Sequence, residues 1–241
     1  MRVLWRGLCA LIFSGCLLTP AHSESSRCEL TPPSASNIAA VMASASELKD
    51  WLNQQDSRVV LLVRRGQDMA KYQLQFSHAG WALRQTDGHW QVYHNLNECG
   101  TGHSSLYVQG LYQFLADGLV SNDIAVLRFA GDLEQQLLNT LADTRRIQLL
   151  HSSWYSMVAY PFSGPYQNSN GWILEVFAQA NQPQVWSRDD ARRWLRSQDY
   201  QPSELAVGAL KRKVAGLVMP HVYSEDQPPA LLDKGKIQIS S

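Results

Sequence analysis

The chain predicts an α+β fold on three observations. Two alternating apolar segments, residues 74–83 and 89–96, flank Asp87-Gly88. Both turn residues tolerate the positive φ a tight hairpin needs, so the segments read as an antiparallel pair. Val59-Val60-Leu61-Leu62-Val63 is a continuous apolar run that reads as a central strand. The later segments carry helical spacing, and strands followed by helices with an antiparallel hairpin define the class.

The elements follow in order. Arg2 and Arg6 precede an apolar run from Leu8 to Leu18, and Ala21-His22-Ser23 offers small residues for cleavage. This predicts a signal peptide over 1–23, cut near Ser23, with lipid attachment at Cys16 as the alternative. The remaining 24–241 reads as one exported domain, periplasmic or secreted, without a transmembrane segment. Residues 24–34 are Ser/Pro-rich and extended. Ser36 or Asn37 caps a helix to about Gln54, with Ile38, Val41, Met42, Leu48, Trp51 and Leu52 on its apolar side. Arg64 to Asp68 read as an exposed loop after the central strand. Residues 104–117 carry helical spacing through Leu106, Leu111, Phe114 and Leu115, and Ile124 to Phe129 read as a strand. Asp132 opens a helix with Arg145 and Arg146 near its end, where the dipole favours cations. Residues 151–167 form an aromatic loop marked by Pro161 and Gly164-Pro165. Further helices run from Asn168 to about Ala180, from a Ser187 cap to about Arg196, and from Glu204 to Leu217. A last strand covers Ile237–Ile239.

Composition narrows the function. Without the leader, 19 Lys+Arg face 21 Asp+Glu, a net charge of −2 with histidines neutral. That near-neutral balance leaves no electrostatic footprint for nucleic acid or anionic lipid. Two of the four cysteines remain, Cys28 and Cys99. In an oxidising compartment such a pair predicts a disulfide, with a free reactive thiol as the alternative. No zinc-type ligand spacing or cofactor motif is present.

The candidate chemistry lies in three places. His78, in Ser-His-Ala-Gly, and His94, in Val-Tyr-His-Asn-Leu-Asn, fall on the two hairpin strands, so their imidazoles can share a neighbourhood. The third is Ser169, in Tyr-Gln-Asn-Ser-Asn-Gly-Trp, at the predicted start of a helix. Three residues before Trp172, it points to the same helix face, where the positive dipole end and free N–H groups lie. Gln167 and Asn168 can donate to an oxyanion, or serve turn chemistry; Ser169 can equally be a helix cap. Gly171 permits close approach of substrate or chain.

Over most of its length the sequence resembles the bacterial family catalogued as domain of unknown function 2145, on those three motifs. The layout is also similar to the circularly permuted branch of the NlpC-type papain-like hydrolases and the lecithin-retinol-acyltransferase-like proteins. That resemblance implies an antiparallel sheet with packed helices. It assigns His78 as general base and His94 as the residue orienting it, and puts Ser169 where the branch has its cysteine. A serine cannot be pre-ionised as a thiol can, so the site is either a working serine site or one that kept its shape and lost its chemistry.

Three function classes follow. The first is a hydrolase or acyltransferase on amide or ester substrates, with peptide, glycopeptide or acyl partners. The second is a catalytically inactive binding protein using the same cleft. The third is a metal site at His78 and His94, for which two imidazoles alone are a poor ligand set; no metal is expected.

Overall fold

The computed structural model describes residues 33–117 and 123–241. The expected leader, its cleavage at Ser23, the alternative anchor at Cys16, and Cys28 lie outside the described residues. Among those described, no helix is long and apolar enough to cross a membrane. Cys99 is disulfide-bonded.

Helix α1 (Ala35–Asn53) starts two to three residues earlier than the expected caps imply, because Ser34 Oγ accepts from Asn37 N–H. It buries Ala45, Leu48 and Leu52, while Met42 and Trp51 stay exposed. Strand β1 (Val59–Arg64) is the expected central run. A single 3-10 turn (Ala70–Tyr72) precedes the hairpin of β2 (His78–Arg84) and β3 (Trp90–Asn97). Trp81 pairs with Tyr93, and Gly88 takes φ 89° in the turn. Residues 74–77, expected as strand, lie before β2.

Residues 104–117 are not one helix. Strand β4 (Ser104–Gly110) pairs with β3 along its whole length, and only Leu111–Ala116 forms helix α2. The open edge of β3 captures the segment, and pairing overrides helical spacing that Leu111, Phe114 and Leu115 alone sustain. Strand β5 (Ile124–Arg128) pairs with β1. The five strands form an antiparallel sheet in the order β4-β3-β2-β1-β5.

The next expected helix breaks in two, α3 (Asp132–Ala142) and α4 (Thr144–Leu149). Asp143 causes the break by capping α4 through Arg146 N–H. Helix α5 (Ser169–Asn181) and α6 (Arg188–Ser197) stand where expected, the latter with a reciprocal Ser187–Asp190 capping box. The helix expected from Glu204 is a strand, β6 (Ser203–Ala206), followed after Gly208 by α7 (Ala209–Val218). Short α8 (Pro229–Leu232) leads to β7 (Lys236–Ile239), whose pairing with β6 supplies the partner that converts 203–206 to strand.

Both faces of the large sheet are covered. Val60, Leu62, Ala82 and Val92 pack against α1 and α2. Val59, Trp81 and Leu83 pack against α3, α4, α5 and α6 around Trp172 and Val176. Each large side chain so buried contributes about 1.5–3 kcal/mol. A third, smaller core gathers Leu205, Ile237 and Ile239 against Leu74 and Val158.

Asp226 and Gln227 tie that small core to the 155–160 loop. Asp226 Oδ2 accepts from Tyr160 N–H at 2.9 Å, and the Gln227 amide bridges Val158 and Gln238. Burial pushes the Asp226 carboxyl up to about 6 from its ordinary 3.8. A carboxyl raised on folding keeps its proton longer in the native chain. Its stabilising share is therefore complete below about pH 4 and is lost as pH rises through about 6. Asp226→Asn is expected to flatten the stability profile across that window, measured as urea midpoint against pH; an unchanged slope would contradict it.

Candidate functional site

The two histidines meet as the hairpin requires. His78 Nε2 and His94 Nδ1 lie 2.9 Å apart, and both side chains are fully buried. His94 Nε2 is 3.1 Å from Gln109 Oε1 on β4. That oxygen only accepts, so His94 donates its Nε2–H to it. Both rings pack against Phe114 of α2, at centroid distances of 5.8 and 5.4 Å. Gly80 leaves the room for this, since a Cβ there would stand 3.0 Å from Phe114 and 3.5 Å from His94.

Arg64, expected in a solvated loop, is fully buried at the end of β1 beside this cluster. Its guanidinium lies 5.3 Å over the Phe114 ring and pairs with Asp117 at 3.2 Å. His221 is also buried, and burial lowers its pKa.

Ser169 opens helix α5, which packs on the other face of the sheet. Helix α5 lays Trp172, Ile173 and Val176 on the face that carries Ala79 and Trp81. His78 and His94 alternate to the face that carries Phe114. The two imidazoles thus meet on one face, and the helix that Ser169 opens packs on the other. Period-2 alternation at β2 decides this: one residue separates the face of Ala79 from that of His78.

The expected oxyanion donors are committed elsewhere. Gln167 is 2% exposed. Its Nε2 donates to Leu150 O at 2.8 Å and to Glu175 Oε2 at 2.5 Å, and its Oε1 accepts from Ser152 N–H at 3.0 Å. Asn168 is the N-cap of α5: its Oδ1 accepts from Gly171 N–H at 2.7 Å, and its Nδ2 donates to Ser240 O at 3.4 Å. A Cβ at Gly171 would stand 3.0 Å from Asn168 Oδ1, so the glycine leaves room for that cap. Behind this turn Glu175 is buried against Arg188 at 3.1 Å, and burial raises its pKa against the pull of that guanidinium. The network holds the loop that delivers Ser169.

What Ser169 faces is a cavity of about 270 Å³. Its walls are apolar: Leu74 and Phe76 before β2, Met157 and Val158 of the loop, Val207 after β6, and Met219 after α7. Its lining also carries buried polar groups, Asn168, Ser169 and Ser240, with half-buried Ser77. Its exposed rim carries Lys71, Tyr72 and Lys211, with Lys211 Nζ 2.6 Å from the Tyr72 hydroxyl. Hydrogen bonding to that phenol raises the Lys211 pKa, and Lys71, Lys211 and Arg212 outnumber the one acidic side chain of the lining, Asp68.

Sequence reasoning missed this cavity. Its walls come from segments read as strand (74–77), aromatic loop and helix (204–217). The one available signal was the cluster of apolar side chains around Lys71, Lys211 and Arg212. Of the aromatic residues of the 151–167 loop, Tyr155 lines the cavity, Tyr166 stacks on Tyr223 at 5.0 Å, and Trp154 stays exposed against His103. Among the described residues no group of three or more His, Cys, Asp or Glu side chains is placed to hold a metal ion.

No curated protein and no solved structure matches the chain. A family model covering residues 51–241, and with them the histidine pair, the start of α5 and the cavity, does match: the chain belongs to a family described as uncharacterised proteins conserved in bacteria (DUF2145).

Proposed function

We propose that this is an exported binding protein for an amphiphile, and that the buried cavity at Ser169 is its binding site. The apolar chain of the ligand lies between Leu74, Met157 and Met219, and an anionic head meets Lys71 and Lys211. The observation that carries the reading is the composition of that cavity: apolar walls, buried hydroxyls and a buried amide, and a cationic rim. Small-molecule sites combine mostly apolar walls with a few placed polar groups in this way. An acyl chain with a carboxylate or phosphate head is the ligand class that matches all three zones.

The hydrolase reading would need an imidazole within hydrogen-bond reach of the Ser169 hydroxyl. His78 and His94, the candidates from the papain-like resemblance, pack on the α2 face instead. The binding reading needs no such contact. It also accounts for the serine, which supplies a hydroxyl to a ligand without having to be ionised.

Titration with a medium-chain fatty acid, followed by thermal unfolding, tests the proposal. A ligand at a hundred times its Kd adds about 2.7 kcal/mol of stability. A concentration-dependent rise in Tm is therefore expected. Ala215→Phe, which fills the cavity from α7, is expected to abolish the rise while leaving the ligand-free Tm close to that of the parent. Fluorophosphonate probes are expected to leave Ser169 unlabelled. Absence of any shift across carboxylate- and phosphate-headed amphiphiles would overturn the reading, and stoichiometric labelling of Ser169 would restore the enzyme.

A further inference from the structure

Helix α7 presents an outer face that nothing in the described structure covers. Leu210 is 77% exposed, Leu217 85% and Val218 70%, and Val214 lies between them at 50%. Their spacing of four, three and one places them on one stripe of the helix. Lys211 and Lys213 fall on the two flanks of that stripe, at the 100° per residue of an α-helix. The opposite side, with Arg212, Ala215 and Met219, lines the cavity. Residues 207–222 contain no Asp or Glu. Apolar side chains directed outward on a helix framed by cations are suited to the boundary between acyl chains and anionic headgroups.

We infer that α7 docks this protein on an anionic lipid bilayer, with Leu210, Val214, Leu217 and Val218 inserted and Lys211 and Lys213 at headgroup level. A second protein would have to supply both an apolar groove and acids on each side of it. A bilayer bearing anionic lipid offers both along its whole surface. The inference goes beyond the binding proposal and stands on a different face of the helix. Together the two would set the cavity rim, which shares Lys211, beside the headgroups.

Flotation of the purified protein with vesicles tests it, using phosphatidylcholine alone and phosphatidylcholine mixed with phosphatidylglycerol. With ~1 kcal/mol for each of two lysines, partitioning is expected to be about 20- to 30-fold stronger on the mixed vesicles, and to weaken as salt rises. Leu210→Ser/Leu217→Ser is expected to lower binding more than about tenfold. Both positions are exposed, so circular dichroism should be unchanged. Lys213→Glu is expected to remove most of the preference for anionic lipid. Failure to float with either vesicle, or flotation insensitive to the serine pair, would overturn the inference. So would a dimer in light scattering that the serine pair converts to monomer, which would assign the face to a second copy. No cavity ligand is needed, so flotation without a fatty-acid Tm shift would keep this inference and reject the binding proposal.

Discussion

Gln167→Leu is expected to destabilise the protein by about 3–5 kcal/mol, a large share of the 5–15 kcal/mol that holds a typical domain. Leucine matches the volume but none of the bonds. Leu150 O, Ser152 N–H and the Glu175 carboxylate would each lose a partner inside the fold. A buried group left unpaired costs about 1–3 kcal/mol, and Glu175 is the worst placed because burial already disfavours its charge. Urea unfolding measures the loss; a change below about 1 kcal/mol would mean that water or neighbours replace the amide. The result also separates two roles for this residue. An oxyanion donor would be replaced with little effect on stability, whereas the clamp described here sacrifices the fold.

The second large effect is expected at Gly80. A Cβ there would stand 2.5 Å from Val92 Cγ1 and 3.0 Å from Phe114 Cε2, both on fully buried side chains. Overpacking a filled core costs about 1–3 kcal/mol, and occasionally more. Gly80→Ala is placed at about 2 kcal/mol and Gly80→Val above about 3 kcal/mol on that scale. Val92→Ala removes the nearer obstruction, so the double variant Gly80→Ala/Val92→Ala should lose less than the sum of its parts. A double-mutant cycle measures that coupling. Strict additivity would show that the strain is relieved elsewhere, for instance by movement of α2.

Much of the fold was legible where the signal is local. Asp87-Gly88 between alternating strands specified the hairpin, and with it the meeting of His78 and His94. Ser187 followed by Asp190 specified the start of α6. The Trp172, Ile173, Val176 pattern specified α5 and the face it buries. The failures fall where a distant partner decides. Residues 104–110 carry enough apolar side chains for a helix, but the free edge of β3 makes them strand. Residues 203–206 become strand because β7, some thirty residues later, returns beside them. Arg64 reads as solvated, yet Phe114 and Asp117 bury it.

The candidate site divides along the same line. The sequence by itself determined which residues share a face: the period of two joins His78 to Gly80 and Ala82, and the helical period joins Ser169 to Trp172. Tertiary structure alone decided which face of the sheet each set occupies. Helices cover both faces, α1 and α2 on one and α3 to α6 on the other. Periodicity reports that a side chain is inward but not toward which of two cores. Only the packing of α2 against the histidines and of α5 against Ala79 and Trp81 settles that, and it puts the imidazoles and the body of α5 on opposite faces of one sheet.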